Sequence, residues 1–258
     1  MRSSLSSVAN AIALLKTFSD EHFELGITDL AARLGVAKST AHRLAATLVE
    51  TGMLEQNQET EKYRLGFAAF ELGALVRRKM DVSTEAKGCL LALRERTGET
   101  VHLAILDGGE IVYVNYLESK NAVRISSAIG LRKPAHCTAE GKAILAFQPA
   151  NDDAHPRKFD LERRTPKTIP DSRALAAELA AVRAQGFAVD DEESEIGMRC
   201  IAAPIRDETG HATAAVGIAG PIQRLPKKKL LSFAPAVINA TDEISLRLGG
   251  AHILAKRA

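Results

Sequence analysis

At 258 residues, 46% hydrophobic and 26% charged, the chain has the make-up of an ordinary folded protein and the length of two domains. A net charge of +2 excludes a polycation coat, and no apolar run reaches the roughly 18 residues that a membrane span needs. The N-terminus lacks the apolar core of a signal peptide, and the three cysteines, Cys89, Cys137 and Cys200, are odd in number and far apart. Neither a disulfide framework nor a zinc ribbon is indicated, and the expected compartment is the reducing cytoplasm.

In chain order, Val8, Ala11, Ile12, Leu15 and Phe18 recur at helical spacing, with Ser7 as the expected N-cap. Ile27 to Leu44 then reads as two short helices joined at Gly35, a residue suited to positive φ. Leu30, Leu34, Val36, Ala41 and Leu44 fall where a helix-turn-helix buries its core, Ala31 is small where the helices approach, and Thr28 is the expected cap with Asp29 beside the positive helix end. The second helix presents Lys38, Ser39, Thr40, His42 and Arg43, donors for phosphates and base edges, with no acid before Glu50. Gly52 suits the position just past that helix, and Leu54 to Leu65 reads as a hairpin, the wing of a winged helix. There Lys62 and Arg64 alternate with Tyr63 and Leu65, so one face packs and the other reaches phosphates. Residues 1–66 hold seven Lys or Arg against eight Asp or Glu, a net of −1. DNA binding here would rest on placed side chains rather than bulk charge. The strongly apolar helix from Phe67 exceeds what a three-helix module can bury and is expected to pack on a partner subunit.

Beyond Asp81 the pattern changes. A helix over Thr84 to Arg96 ends at Gly98. Hairpins follow at Val101–Tyr116, around Asp107–Gly109, and at Cys200–Ala219, around Asp207–Gly210; a further strand is expected from Arg124 to Ile129. Helices are expected over Ala139 to Phe147, Asp171 to Gln185 (capped by Asp171 or Ser172) and Leu230 to Leu248. Hairpins separated by helices predict an α+β fold with an antiparallel sheet flanked by helices.

Several motifs in this order resemble the IclR family of bacterial transcriptional regulators. They are VAKSTAHRLAATLVETGML (Val36–Leu54), YRLG (Tyr63–Gly66), KPAHCTAEGKAILA (Lys133–Ala146), the spaced Thr165 and Thr168, GFAVDDEESEIGMRCIAAPIRDETG (Gly186–Gly210) and AVGIAGP (Ala215–Pro221). The resemblance implies a winged helix-turn-helix over 4–66, a linker and dimerisation helix over 67–82, a GAF/PAS-like effector domain over 83–250 and a tail over 251–258. It implies a dimer or tetramer on palindromic double-stranded operator DNA, more often a repressor, governing a catabolic operon under a small organic acid; the alternatives are an activator of the same type or a metal-binding sensor. Carried onto this chain, the effector positions are Ala139, Glu140, Asp190, Cys200, Gly217 and Ala219. Small keto-acid sensors of the family have serines where Gly217 and Ala219 stand. Losing those hydroxyls forfeits about 1.5–3 kcal/mol per charge-assisted bond, so a roomier pocket and a larger, less polar effector such as an aromatic acid are expected.

His136 beside Cys137, and Cys200 with the acidic run Asp190 to Glu193, lack the spacing of a metal site or of a nucleophile–base pair. No catalytic residue, metal ligand or cofactor is assigned. Lys142 is expected to hold its helix against the acidic loop, and Arg132 and Lys133 are the cations placed to attract an anion.

Overall fold

Three amphipathic helices and a hairpin build the N-terminal part around a small core. The computed structural model describes residues 6–19, 21–78, 81–121, 128–148 and 161–249, and the chain divides into two units, residues 1–80 and 81–258. The first contains α1 (Ser6–Leu15), α2 (Ile27–Leu34), α3 (Lys38–Glu50), a two-stranded antiparallel ribbon of β1 (Leu54–Gln56) and β2 (Tyr63–Leu65), and α4 (Phe67–Arg78). Leu14, Leu25, Leu30, Ala45, Leu48, Leu54 and Tyr63 form its buried centre, with Ala11, Leu15, Phe18, Leu34 and Leu44 packed against them.

Gly35 sits between α2 and α3 at φ 64°, as its place in the turn requires, and Gly52 ends α3 at φ 70°. Several expectations fail here. Ser7 lies inside α1, and α2 begins at Ile27 after an extended Gly26 with no side-chain cap, so Thr28 is already helical. The reason is non-local: Leu25 is held extended by reciprocal backbone hydrogen bonds with Tyr63 (3.0 and 2.9 Å), and the helix starts as soon as that bridge lets go. Val8 and Ile12 are about half exposed, because the inward stripe of α1 is centred nearer Leu14. On the wing, Tyr63 is buried but Leu65 is exposed. Gly66 joins wing to α4 where the backbones nearly touch. Its N–H reaches the Met53 carbonyl at 2.9 Å, and a Cβ there would drive into the Gly52 carbonyl, which itself accepts the Ala68 N–H at 3.1 Å.

The second unit has α5 (Asp81–Thr97), β3 (Thr100–Asp107), β4 (Glu110–Leu117), β5 (Arg132–Pro134), α6 (Ala139–Leu145), α7 (Ser172–Gln185), β6 (Ala188–Asp191), β7 (Met198–Arg206), β8 (Ala212–Pro221), α8 (Lys227–Ser232) and α9 (Ala234–Arg247). Six antiparallel strands lie in the order β5-β4-β3-β8-β7-β6. Alternate side chains of the central strands serve two layers. Ala104, Ala202, Ala215 and Cys200 pack with Ala139, Ala143 and Leu175 of α6 and α7. Val101, Ile201, Val216 and Ile218 point the other way and are equally buried, on the side where α5 and α9 pack.

Of the strand expected at 124–129, residues 124–127 lie outside the described residues, and 128–129 are not in a strand. Two short edge strands, β5 and β6, were not expected from the sequence, and the acidic segment read as a loop begins inside β6. The C-terminal helix is broken: Pro235 stands at the start of α9, where its missing N–H costs nothing, so α8 ends at Ser232 and a new helix begins. Asp171 does cap α7, accepting the Ala174 N–H at 2.8 Å.

Candidate functional site

In the first unit, α3 enters from an extended Ala37 with no side-chain cap, and its first turn offers Lys38 and Ser39 to solvent. His42 and Arg43 are exposed one turn on, Thr40 is half-buried, and the opposite face buries Ala41, Ala45 and Leu48. Lys38, Ser39, His42 and Arg43 form no side-chain ion pair among the described residues. On the wing, Lys62 is exposed, but Arg64 is already engaged. Its guanidinium donates to Glu55 Oε2 at 2.9 Å and stands 3.7 Å from Glu24.

In the second unit the sheet register gathers the other expected residues. Asp190, Cys200 and Ala219 lie side by side on β6, β7 and β8, while on the next row His102 of β3 faces Gly217 of β8. Glu140, in the first turn of α6, covers both rows. A cavity of about 30 Å³ opens here, lined by Glu140, Asp190, Cys200 and Ala219 together with His102, Tyr113, Lys133, Met198 and Arg199. Ala139 and Gly217 are not among its walls, although Ala139 is buried in α6's first turn beside Glu140.

Gly217 overturns the expectation of a roomier pocket. A Cβ at this position would collide with Glu140 Oε1, so the space a side chain would fill is taken by the Glu140 carboxylate. That carboxylate is 1% exposed; Cys200 Sγ donates to its Oε1 at 3.3 Å, and His102 Nδ1 lies 3.4 Å from the same oxygen without forming a well-aligned hydrogen bond. Burial pushes the Glu140 pKa up, but the adjacent imidazole and these hydrogen bonds outweigh it and hold the group below the usual carboxylate range. His102 is itself 3% exposed and stacked on Tyr113 at 4.5 Å between centroids; its Nε2 has no partner among the described residues.

The acidic run is pinned rather than loose. Asp190 Oδ1 accepts the N–H groups of Glu193 (2.7 Å) and Ser194 (3.3 Å). Thr165 and Thr168 donate to the Glu192 and Glu193 carbonyls, each at 2.7 Å, and hold Glu192 at φ 66°. Lys142, wholly buried, donates to Glu193 at 2.6 Å and Glu178 at 3.1 Å, which ties α6 to the loop as expected. Burial and the Glu193 charge raise the Asp190 carboxyl to about 7. At the exposed side Lys133 pairs with Glu195 at 3.3 Å, Arg199 pairs with Asp191, and Arg132 is spent on Asp107 and Glu110.

His136 and Cys137 turn to different backbone carbonyls, Glu162 and Pro134. The His136 ring donates to the Glu162 carbonyl at 3.0 Å, and burial pushes the Cys137 thiol up to about 12, with Cys200 also raised. Protonated thiols are poor nucleophiles and poor ligands. No group of three His, Cys, Asp or Glu side chains is placed to hold a metal ion among the described residues.

A winged helix-turn-helix, followed by a sheet domain with a buried polar cavity, is the make-up of a DNA-binding transcriptional regulator. Residues 7–58 match the IclR helix-turn-helix domain and residues 74–246 the bacterial transcriptional regulator IclR C-terminal domain. The chain belongs to the IclR family. It is 38% identical to the HTH-type transcriptional regulator XynR of Escherichia coli, over 95% of this chain and 98% of that one, and 32% identical to the transcriptional repressor IclR of the same species, over 95% and 90%. The crystal structure of an IclR homolog complexed with 4-hydroxybenzoate from Microbacterium hydrocarbonoxydans superposes with a TM-score of 0.81 at 26% identity, covering 94% of this chain and 98% of that one. No helix among the described residues is long and apolar enough to cross a membrane.

Proposed function

We propose that the chain is a repressor of a catabolic operon, released when a small organic acid enters the cavity of residues 81–258. The observation that carries this is the convergence of Glu140, Asp190, Cys200 and Ala219 on one buried cavity with Lys133 and Arg199 at its rim. The polarity follows the relative named as a repressor, and the ligand class follows the neighbour that holds 4-hydroxybenzoate. In this reading Ala139 and Gly217 shape the pocket from behind rather than touching the effector.

Ser39, Thr40, His42 and Arg43 of α3 read base edges in the major groove, while Lys38 and Lys62 hold phosphates. Arg64 joins them only if it leaves Glu55. Dimers or tetramers form through apolar surface that the unit leaves uncovered: Phe67 and Phe70 of α4 are each 65% exposed, and Leu72, Leu75, Val8 and Ile12 are also exposed. Effector binding shifts the population between assemblies only to the extent that it prefers one of them; swinging 1:99 to 99:1 takes about 10⁴-fold preference. The test is a salt-dependent footprint of the full-length protein on its own upstream DNA, repeated with small carboxylates. Release by a carboxylate supports the reading; a footprint indifferent to every carboxylate refutes the effector, and binding without salt dependence refutes the DNA contacts.

A further inference from the structure

We propose that the Lys133–Glu195 ion pair is a clasp across the mouth of the cavity, and that an entering carboxylate opens it by taking Lys133 from Glu195. Glu195 is then an internal stand-in for the ligand's own carboxylate, an autoinhibitory contact. This rests on the organic-acid reading above and says how that ligand gets in.

The first ground is space. A cavity of about 30 Å³ holds a water or two, whereas a cavity that accepts benzene measures about 150 Å³. No organic acid fits while the walls stand as they do, so one wall has to give way. The sheet resists: β3, β8 and β7 are each paired on both sides, and moving one breaks two ladders. So does α6, every residue of which is buried and which Lys142 ties to Glu178 and Glu193. What remains is the turn between β6 and β7, which contributes Ser194 and Glu195 to the lining. Its tip stands in solvent, with Ile196 69% exposed and Gly197 at φ 85° in open space, so lifting it costs little packing.

The second ground is connection. β5 and β6 are opposite edges of a six-stranded sheet, roughly 24 Å apart were it flat. Yet Lys133 of β5 reaches Glu195, just past β6, at 3.3 Å, so the sheet curls around the cavity and this ion pair joins its two rims. Bonds inside the turn run instead to its own flanks: the Glu192 N–H reaches the Met198 carbonyl, and the Gly197 N–H reaches Glu192 Oε2, each at 3.0 Å. Lys133 is also the rim cation most able to change partner. Arg199 pairs with Asp191 and donates to the Leu225 carbonyl, whereas Lys133 pairs with the exposed Glu195, and exposed pairs are weak.

The experiment is calorimetric titration of the full-length protein and two variants with acetate, pyruvate, benzoate and 4-hydroxybenzoate. Glu195→Gln removes the competitor, and should tighten whichever of these the wild type binds by about threefold, the worth of an exposed pair. Glu110→Gln removes an equal charge beside β5, from a residue paired with Arg132 rather than Lys133, and should leave the affinity as it was. Hydrogen exchange of the ligand-free proteins gives a second reading. The Met198 and Ile222 amides, which bond to the Glu195 and Gly197 carbonyls, should exchange faster in Glu195→Gln than in the wild type or Glu110→Gln. Unchanged affinity in Glu195→Gln, equal tightening by Glu110→Gln, or unchanged exchange at both amides would each overturn the clasp and leave the organic-acid reading standing. If none of the carboxylates binds while the protein still holds its DNA, the organic-acid reading falls and the clasp with it.

Discussion

The two units use their charged residues in opposite ways. On α3, Lys38 and Arg43 stand in solvent with no acid paired to them among the described residues, whereas in the sheet domain Lys142 and Glu140 are buried and answered by groups from other elements, and Asp190 by the backbone of the loop that follows it. The first arrangement keeps charge in reserve for a partner outside the molecule. The second consumes it to fix the shape of a cavity. Substitutions on the recognition face should therefore change binding and leave folding alone, while substitutions around the cavity should register first in stability.

The largest expected effect tests the second half of that contrast. Lys142→Met leaves Glu193 and Glu178 without their cation, and breaking a buried pair from one side costs about 3–5 kcal/mol. Thermal unfolding of the full-length protein should show this loss in the transition of residues 81–258 alone; an unchanged melt would mean that the pair contributes nothing. Next comes pH. Asp190 is raised from 3.8 to about 7, on the order of 4 kcal/mol at about 1.4 kcal/mol per pH decade, as an upper bound. A carboxyl raised on folding stabilises fully below its unfolded pKa, and that contribution is lost as pH climbs through the folded value. The titratable groups that face it are Glu193, Lys142, Cys137, Cys200 and Tyr113, with Glu140 in the wall of the same cavity. Glu193 is raised too and acts in the same direction. The sheet domain should weaken between about pH 4 and 7, and Asp190→Asn, which keeps an oxygen for the Glu193 and Ser194 amides, should flatten that slope.

Gly217→Ala should cost about 1–3 kcal/mol by overpacking against Glu140, and the penalty should shrink in a Glu140→Ala background to what the Ala202 Cβ at 3.2 Å still imposes. Additive losses would show that the two positions do not compete for space. Smaller effects test the head. Arg43→Ala should weaken operator DNA binding by about 1–3 kcal/mol with no change in melting temperature. Lys62→Ala should lower the salt slope of binding by about one, while Arg64→Ala, whose charge is already spent on Glu55, should lower it less. Equal slopes for the two would show that Arg64 abandons Glu55 on DNA.

Local chemistry was legible in the sequence. The Gly35 turn, the Gly52 helix end, the Asp171 cap and both hairpins of the sheet follow from residues within a few positions of one another. What depended on distant partners was not. The start of α2 is set by Tyr63, 38 positions after Leu25. His102 was missed because Val101, Leu103 and Ile105 alternate with it, which reads as a one-sided sheet; only a sheet covered on both faces buries His102 as well. Its signal was a histidine among small residues on the supposedly wet face. Gly217 was read as empty space for want of a way to know that Glu140, 77 positions earlier, would fill it. Asp190, Cys200 and Ala219, carried by their motifs, did meet at one cavity.

The crowding at Gly66 has a mechanical consequence. With the Gly52 carbonyl closed onto the first turn of α4 and no room for even a methyl at the joint, α3, the β1–β2 ribbon and α4 are geared together without backlash. Turn α4 by a few degrees and the reading face must turn with it: the head behaves as a rigid lever, with little slack at its own neck to absorb the motion.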